Sequence, residues 1–430
     1  MKNKVLVIAY YWPPSGGSGV QRWVKFVKYL PQFNIVPHVY TPLNPDFPIK
    51  DKTLEQEIPS EAVIIKRKII EPYSFYRFFA GQKNSKNANF GMSKSKSNSL
   101  KNKLAIWVRG NLLIPDPRKF WIKPSYRFLK KYIKKNNICT IITTGPPHSM
   151  HLIGRKLKRK MGKEIKWIAD FRDPWTQVYY KDDLKQSNWA KNKLFQMERT
   201  VIQECDEFIT VSDHICAEFN KMHNTSKGSV IYNGFDERDF NFEVTPDTEK
   251  FVISHVGKLP HFSNPENFWR ALKSILTTNI EIQNRLLIRF VGTVDKEVRD
   301  SIEQNGLTKY CEFVGVVNHE KAITYMKKAN LLILPVPNVK NSKGILTGKL
   351  FEYLASQTHI LSFSDPDGNL NKILEDANAG KNYSYSASTE IELFLKTYLI
   401  EKSEDDTRIL NEKIKQFERR ELTKRLAQLL

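Results

Sequence analysis

Short runs that are hydrophobic at every position, separated by helical segments, most constrain the fold of this chain. Such runs occur in the first half at 4–10, 36–41, 62–70, 139–145, 166–171 and 207–212. A second series follows at 251–257, 286–292, 311–317, 331–336 and 359–363. Continuous rather than alternating hydrophobicity is typical of parallel strands that are covered on both faces. The pattern therefore predicts two doubly wound α/β domains with a ligand-binding cleft between the carboxyl ends of their sheets.

The domain boundaries follow from where the two series stop. At 430 residues the chain exceeds one typical core, so several domains are expected. We place the N-terminal domain at 1–232 and the second domain at 233–405, because a polar stretch separates the two series. A polar, low-complexity segment at about 81–100 predicts a flexible basic loop. Residues 406–430 have the apolar spacing of an amphipathic helix, which we expect to pack back toward the N-terminal domain.

Positive charge is concentrated in one part of the chain. The formal net charge is +22, and the stretch 66–135 holds 19 Lys and Arg residues against only Glu71 and Asp116. Aromatic residues are interleaved with these charges, as expected of a segment that contacts an anionic membrane surface, nucleic acid or an acidic polysaccharide. The alternative is a solvated basic face whose aromatic side chains pack inward.

The location of the protein is inferred from its cysteines and its apolar segments. The four cysteines are scattered, without the spacing of a metal site or of a disulfide framework. No apolar stretch approaches the roughly 20 residues needed to cross a bilayer. The first hydrophobic run leads directly into Tyr11, Trp12 and two prolines, which favours a first strand over a signal peptide. We expect a cytoplasmic protein.

The loop after the strand at 331–336 carries the most informative site signal. A helix is predicted to open at about Leu350, so the backbone N–H groups near Thr347 and Gly348, together with Lys349, would meet an anion at its positive end. Glu352, expected in the first helical turn, could accept hydrogen bonds from the hydroxyls of a sugar. Phosphate donors and a ribose-binding carboxylate suggest a nucleotide-sugar pocket. The alternative is an ordinary capped helix.

A second lysine is predicted to approach the same point. Gly257 and Lys258 end the first strand of the second series, so Lys258 would lie at the carboxyl edge of the sheet together with Lys349. Two ammonium groups suit a diphosphate leaving group, whose negative charge grows as the glycosidic bond breaks. Either lysine taken alone is more often a surface residue.

A glycine-rich turn follows the first strand of the chain. Gly16 and Gly17 would let the backbone approach a ligand closely at the start of a helix. The spacing does not fit the dinucleotide pattern G-x-G-x-x-G, and no P-loop lysine follows. A tight turn without a ligand is the alternative interpretation.

Three further polar segments are candidates for the site or for a metal. Asp170 and His148 each follow a predicted strand, where their side chains could bind donor or acceptor hydroxyls. Alternatively, an Asp170–Arg172 pair or an Arg172–Asp173 pair could be structural support for the loop. The sequence from Asp365 to Asp367 resembles a metal-binding D-x-D, but Gly368 beside it favours a turn, so no metal site is predicted.

These segments, in this order, resemble the retaining glycosyltransferases of family 4 (glycosyl transferases group 1). The resemblance is carried by Y-W-P-P-S-G-G-S-G at 11–19, D-F-R-D-P-W at 170–175, V-I-Y-N-G-F-D at 230–236, V-G-K-L at 256–259 and G-K-L-F-E-Y-L-A at 348–355. It implies the GT-B fold, in which two Rossmann-like domains face each other across a cleft. Two departures stand out: Gly344 occupies the position of the usual first glutamate, and the usual second cation after Lys258 is missing.

The resemblance also implies an activity and roles for the candidate residues. Such an enzyme moves a sugar, with retention and without a metal, from a UDP- or GDP-linked donor to a saccharide acceptor that is often lipid-linked. By this analogy Glu352 holds the ribose and the two lysines hold the diphosphate, with Gly257, Leu350 and the glycine turn lining the pocket. Expected partners are the donor, the acceptor and, through the stretch 66–135, the anionic inner face of the bacterial cytoplasmic membrane. Alternatives are a catalytically inactive GT-B scaffold at the membrane and a basic nucleic-acid-binding protein.

Overall fold

The computed structural model describes residues 2–45, 47, 50–71, 100–177, 184–245, 249–339, 341–400 and 412–430. The chain divides into two compact units. The first unit comprises Met1–Tyr232 together with Leu422–Leu430, and the second comprises Asn233–Glu421.

A seven-stranded parallel sheet forms the centre of the first unit. Its strand order is β3-β2-β1-β4-β5-β6-β7, so the chain runs outward on one side of β1 and then returns to build the other side. This is the doubly wound arrangement, in which ligands bind near the carboxyl ends of the central strands. The strands are β1 (Asn3–Ile8), β2 (Ile35–Pro42), β3 (Val63–Arg67), β4 (Thr140–Gly145), β5 (Lys166–Phe171), β6 (Glu207–Thr210) and β7 (Gly228–Val230).

Helices cover both faces of this sheet. They are α1 (Ser18–Tyr29), α2 (Leu100–Asn111), α3 (Ile122–Asn136), α4 (Ser149–Met161), α5 (Asn188–Glu204) and α6 (Asp213–His223). Alternate residues of β1 enter opposite cores: Leu6 packs into one hydrophobic cluster and Val5 into the other. The second cluster also contains Leu422 and Leu426 from the C-terminal helix, so that helix completes the core of the first unit.

A six-stranded parallel sheet forms the centre of the second unit, in the order β10-β9-β8-β11-β12-β13. Its strands are β8 (Phe251–Val256), β9 (Leu286–Val291), β10 (Cys311–Gly315), β11 (Leu331–Pro335), β12 (His359–Phe363) and β13 (Gly380–Tyr383). Its helices are α7 (Glu266–Thr278), α8 (Ile280–Arg285), α9 (Lys296–Gln304), α10 (His319–Lys328), α11 (Gly348–Ser356), α12 (Asn369–Asp376) and α13 (Ser388–Ile400), and α14 (Arg419–Gln428) follows. The chain reverses direction between β8 and β11, which places α11 directly after a central strand.

The predicted α/β fold of two Rossmann-like, parallel-sheet domains is confirmed, and each predicted strand has a counterpart. Two edge strands were missed, β7 and β13. Both are short and begin with a glycine, and neither contains the continuous hydrophobic run on which the prediction depended.

Two predicted elements differ from the structure in part. Most of the loop expected at about 81–100 lies outside the described residues, but Leu100 begins α2. The C-terminal segment is a short 3-10 helix, Glu412–Phe417, followed by α14, whereas one helix was expected over 406–430. Within the described residues, no helix has the length and apolar character required to cross a membrane.

Candidate functional site

The start of helix α11 is open to a ligand. Thr347 precedes the helix in an extended conformation and makes no side-chain capping bond. The first N–H groups of a helix have no partner within it, so they can donate to an anion. A Cβ added to Gly348 would meet nothing within 4 Å. Among the described residues, the buried Thr347 hydroxyl oxygen also has no hydrogen-bond partner.

Lys349 lies in the first turn of α11, at this opening, and its side chain is partly buried. Its Nζ donates to the carbonyl oxygen of Lys258 at 3.0 Å and lies 3.4 Å from Nε2 of His255. Burial disfavours the charged ammonium and lowers the pKa of Lys349 to about 8. A bound anion would stabilise the ammonium that burial disfavours.

His255, buried in β8, supports the lysine side chain. Its Nδ1 lies 3.0 Å from the carbonyl oxygen of Ile333, whereas its Nε2 lies 3.4 Å from both the carbonyl oxygen of Lys258 and Nζ of Lys349. The shorter contact favours the ring proton on Nδ1, which leaves Nε2 to accept from Lys349. Burial, reinforced by the charge of Lys349, lowers the pKa of His255 to about 3. A neutral acceptor therefore faces the ammonium.

Gly257 makes room for the lysine side chain. Its φ of +119° lies in the region that favours glycine, and an added Cβ would lie 2.9 Å from Cδ of Lys349. The sequence placed Gly257 and Lys349 at one site, and the structure brings them into contact.

Lys258 contributes differently from the prediction. Its side chain is exposed, and the contact to Lys349 is made by its backbone carbonyl. The structure therefore brings the two residues together without pairing their ammonium groups. A carbonyl dipole stabilises the partly buried charge of Lys349, whereas a second ammonium at that point would oppose it.

Glu352 lies in the second turn of α11, and the expectation of a first-turn position is wrong. The helix begins at Gly348, two residues before the predicted start at Leu350. Glu352 and Lys349 are three residues apart and so lie on one face of the helix. Burial raises the pKa of Glu352, with a smaller effect in the same direction from Asp239, while the charges of His319, Arg419 and Lys349 oppose the rise.

Tyr353 fixes α11 to the sheet, a role that sequence reasoning missed. Its buried hydroxyl accepts from the N–H of Val256 at 2.8 Å and donates to the carbonyl of Val256 at 3.2 Å. This pair of hydrogen bonds to β8 positions Lys349 relative to Gly257. The sequence does offer a signal for this role. Tyr353 occupies a core position of the predicted helix, and a buried phenol needs a polar partner on a neighbouring element.

The glycine turn of the first unit forms the start of α1. Gly17 is the N-cap residue with φ +92°, and as a glycine it has no side chain to cap the helix. Its neighbour Gly16 is half-buried. Two residues beyond Gly17, a Cβ added to Gly19 would collide with Nη1 of Arg172. The guanidinium group of Arg172 therefore packs against the first turn of α1. The same group pairs with Asp173 at 3.0 Å.

Asp170 is enclosed in a network of structural bonds. Its carboxylate, fully buried at the end of β5, forms an ion pair with Nη2 of Arg22 at 2.9 Å. It also accepts from the indole N–H of Trp23 at 2.6 Å and from the hydroxyl of Thr144 at 2.8 Å. Its structural partner is Arg22, and of the two pairs expected as alternatives for Arg172 the one with Asp173 forms. The buried carboxylate ties α1 to the sheet, so it does not reach a ligand in this arrangement.

His148 lies at the N-cap of α4 with its ring stacked on Trp175, the centroids 4.7 Å apart and the planes 5° from parallel. Only 8% of the residue is exposed. Burial, together with the nearby His151 and Arg172, holds the pKa of His148 well below its usual value. His148 is thus a neutral hydrogen-bonding group at the carboxyl edge of the first sheet.

Carboxylates elsewhere in the second unit form a turn and a surface cluster. Asp365 accepts from the N–H of Asp367, and Asp367 pairs with Lys343 at 2.9 Å, so the D-x-D segment is a turn, as predicted. Within the described residues, one group has metal-ligand spacing: the potential ligand atoms of His261, Asp295 and Glu297 all lie within 4.8 Å of one another. It is solvent-exposed in part, and Asp295 already accepts from the backbone N–H of His261.

A cavity of about 640 Å³ lies at the other end of α11. Leu354, Ala355 and Gln357 line it, together with residues of the segments 235–241 and 412–418. It is therefore distinct from the opening at Lys349, which lies at the N-terminal end of the same helix.

Comparison with known proteins connects the second unit to a sugar-transferring family. Residues 236–394 match the family model described as Glycosyl transferases group 1, so the second unit carries a Glycosyl transferases group 1 domain. This range includes Gly257, Lys258, Lys349 and Glu352. No curated protein matches the sequence.

Solved structures that resemble the whole chain have the GT-B architecture. Sucrose-phosphate synthase from Thermosynechococcus elongatus is 13% identical, with a TM-score of 0.61 over 99% of this chain and 98% of its own. Anabaena Alr3699/HepE in complex with UDP-glucose is 12% identical, with a TM-score of 0.60 over 99% and 98%. An E. coli trehalose-6-phosphate structure bound with UDP-2-fluoro glucose is 10% identical, with a TM-score of 0.61 over 99% and 98%. At these identities the similarity shows the fold.

Proposed function

We propose that this protein is a retaining glycosyltransferase that moves a sugar from a nucleotide-sugar to a saccharide acceptor. The observation that carries the proposal is the placement of Lys349 and Glu352 on one face of α11, beside its open N-terminal turn and beside Gly257. The Glycosyl transferases group 1 domain spans all of these residues and supports the same conclusion.

The donor in this proposal is a UDP- or GDP-linked sugar bound through its diphosphate and ribose. The N–H groups of Thr347, Gly348 and Lys349, together with the Lys349 ammonium, bind the diphosphate oxygens. Glu352, one turn further along the same face, accepts from the ribose hydroxyls. The exposed Lys258 side chain can approach the outer phosphate, and two of the structural neighbours are complexes with a UDP-sugar.

The chemical step in this proposal depends on stabilising the leaving group. As the glycosidic bond breaks, negative charge grows on the diphosphate, and Lys349 and the amide dipoles of α11 lower the energy of that charge. A diphosphate oxygen on the same face of the sugar takes the proton of the acceptor hydroxyl, which gives retention. The protein residues bind and orient both substrates, so this route requires no metal ion.

A thermal-shift panel of UDP-, GDP-, ADP- and CMP-sugars tests the donor class. A true donor at 100 times its Kd stabilises the folded protein by about 2.7 kcal/mol, so one nucleotide should raise the melting temperature by several degrees. Lys349→Ala should reduce this rise, whereas the exposed Lys372→Ala should preserve it. If none of the nucleotide-sugars raises the melting temperature at millimolar concentration, nucleotide-sugar binding is contradicted.

The alternative of a catalytically inactive scaffold is favoured by one observation. Gly344, which stands where the family usually has its first glutamate, is buried in the short 3-10 helix Ser342–Gly344 and offers the sugar no carboxylate. Hydrolysis of the bound nucleotide-sugar in the absence of acceptor separates the two functions. Slow release of free sugar supports an enzyme, and binding without any turnover, with or without acceptors, supports the scaffold.

The acceptor in this proposal is lipid-linked, and the protein assembles bacterial surface polysaccharide at the inner face of the cytoplasmic membrane. Exposed apolar side chains in the basic part of the first unit support this location. Leu104, Trp107, Leu112 and Phe120 are between 44% and 62% exposed. Lys119 lies beside the ring of Phe120, so cationic and apolar groups share one surface, as binding to anionic lipid requires.

Membrane binding can be measured by sedimentation with phosphatidylglycerol vesicles. Replacing both Trp107 and Phe120 with serine is expected to weaken binding roughly tenfold or more, because two aromatic side chains no longer enter the interface. Val316→Ser, which removes an apolar side chain that is 80% exposed in the second unit, is the matched control and should bind as the unaltered protein does. Equal binding of both variants, or stronger binding to DNA than to vesicles, would argue against this location.

A further inference from the structure

Two buried histidines border the same small space at the end of β4. His148 and His151 are 8% and 0% exposed, respectively. A Cβ added to Gly145 would lie 2.8 Å from Nδ1 of His148 and 2.6 Å from Nε2 of His151. Among the described residues, neither of these two nitrogens has a hydrogen-bond partner. Two ring nitrogens thus border the space that Gly145 leaves open, without a hydrogen bond between them.

The proton positions on His151 follow from its neighbours. The indole N–H of Trp167 can only donate, and it donates to the hydroxyl oxygen of Thr143 at 2.9 Å. That oxygen lies 2.8 Å from Nδ1 of His151, and in the described part of the chain it has no third partner. Thr143 is fully buried, so its own hydrogen is satisfied only if it is donated to Nδ1. Nδ1 of His151 is therefore the acceptor.

The proton of His151 must then be on its other nitrogen. Burial lowers the pKa of His151 to about 3, against a smaller opposing effect of Asp170, so the ring is neutral. With Nδ1 accepting, Nε2 carries the N–H and directs it toward Gly145 and His148. Phe171, stacked on His151 at 4.5 Å between centroids, holds the ring in this plane.

The tautomer of His148 follows from that of His151. An N–H on Nδ1 of His148 would face the N–H of His151, and two donors directed at one space repel each other. Since His148 is also neutral, the favoured form leaves Nδ1 unprotonated toward the N–H of His151 and carries its proton on Nε2. Stacking on Trp175 fixes the ring, so that Nε2 is the nitrogen left to reach a ligand.

We propose that His151 is a positioning residue that holds His148 in its Nε2–H tautomer, so that His148 donates this hydrogen bond to a sugar hydroxyl. The part that concerns the sugar rests on the proposed function, whereas the part that concerns the tautomer does not. In this proposal His151 touches no substrate. Trp167 donates to Thr143, Thr143 donates to Nδ1 of His151, and the N–H that this leaves on Nε2 of His151 sets the tautomer of His148.

The test is the tautomer of His148, measured by long-range ¹H–¹⁵N correlation spectra of protein labelled with ¹⁵N-histidine. His148→Gln assigns the signal by its loss. We expect the Nε2–H form to dominate in the unaltered protein. In His151→Phe, which keeps an aromatic ring against Phe171 but removes the donor, both tautomers of His148 should be populated. Thr143→Val, a smaller change, should shift the balance in the same direction and serves if His151→Phe fails to fold.

Kinetics supply the second readout. Once the donor is known, His151→Phe is expected to lower kcat roughly tenfold with little change in the donor KM, because the loss lies in orienting one hydrogen bond. A His148 tautomer that is the same with and without the His151 ring nitrogens overturns the proposal. If no nucleotide-sugar is bound or turned over, the glycosyltransferase assignment fails, while the spectra still decide whether His151 sets the tautomer.

Discussion

Arg22→Ala is expected to lower the free energy of unfolding of the first unit by roughly 3–5 kcal/mol. Arg22 and Asp170 are 1% and 0% exposed, and Arg22 also donates to the carbonyls of Ile231 and Tyr232 at 2.9 and 3.1 Å. Truncating the arginine leaves the Asp170 carboxylate buried without its countercharge and removes a donor from two carbonyls. The loss is therefore much larger than that of a surface ion pair.

The measurement is denaturant unfolding followed by tryptophan fluorescence. Every tryptophan except Trp269 lies in the first unit, so the signal reports mainly on that unit. Lys134→Ala is the control, because its pair with Glu164 spans 3.7 Å with both side chains more than half exposed, and such pairs contribute about 1 kcal/mol or less. The double variant Arg22→Met with Asp170→Asn should be less destabilised than the sum of its single variants. Equal losses for Arg22→Ala and Lys134→Ala would show that the buried pair does not support the fold.

The strands that sequence analysis identified most readily are those buried on both faces of a sheet. β11 and β12 lie in the middle of a sheet, and their continuous hydrophobic runs follow directly from cover on both faces. The edge strands β3 and β10 still contain apolar runs and were found, whereas β7 and β13 contain none and form only by pairing with a neighbour. Any side chain in place of Gly228 in β7 would collide with Phe208, a contact that no local pattern reveals.

The candidate site was predictable where short spacing brings residues together. Lys349 and Glu352 share a helical face by their separation alone, and a lysine after the end of a neighbouring strand was expected near them. Asp170 was misjudged because its partner Arg22 lies 148 positions away, a pairing that only the sheet topology creates. His151, His255 and Tyr353 were missed because a polar residue within an apolar element looks like core until its hydrogen-bond partners are known.

Lys349→Ala is expected to lower kcat/KM for sugar transfer by roughly 10²–10³-fold and to leave the fold intact. The ammonium is the charge that would meet the leaving diphosphate, so its removal raises the energy of the transition state more than that of the bound donor. In the free protein the substitution removes the hydrogen bonds of the ammonium to the carbonyl oxygen of Lys258 and to His255. Lys372→Ala, an exposed lysine in the same unit, should keep full activity.

The pH dependence of nucleotide binding distinguishes Lys349 from other cations. Its pKa is lowered to about 8 in the free protein, and a bound diphosphate raises it, so binding is coupled to proton uptake above that pH. The affinity for the nucleoside diphosphate should therefore fall as the pH rises above about 8, and calorimetry in buffers of different ionisation enthalpy should detect the proton. Lys349→Arg, charged throughout this range, should bind with an affinity that changes little between pH 7 and about 9.5. An unaltered protein whose affinity is flat across the same range, or a Lys349→Ala variant with normal turnover, would remove the lysine from the mechanism, since no neighbouring group on α11 offers a positive charge in its place.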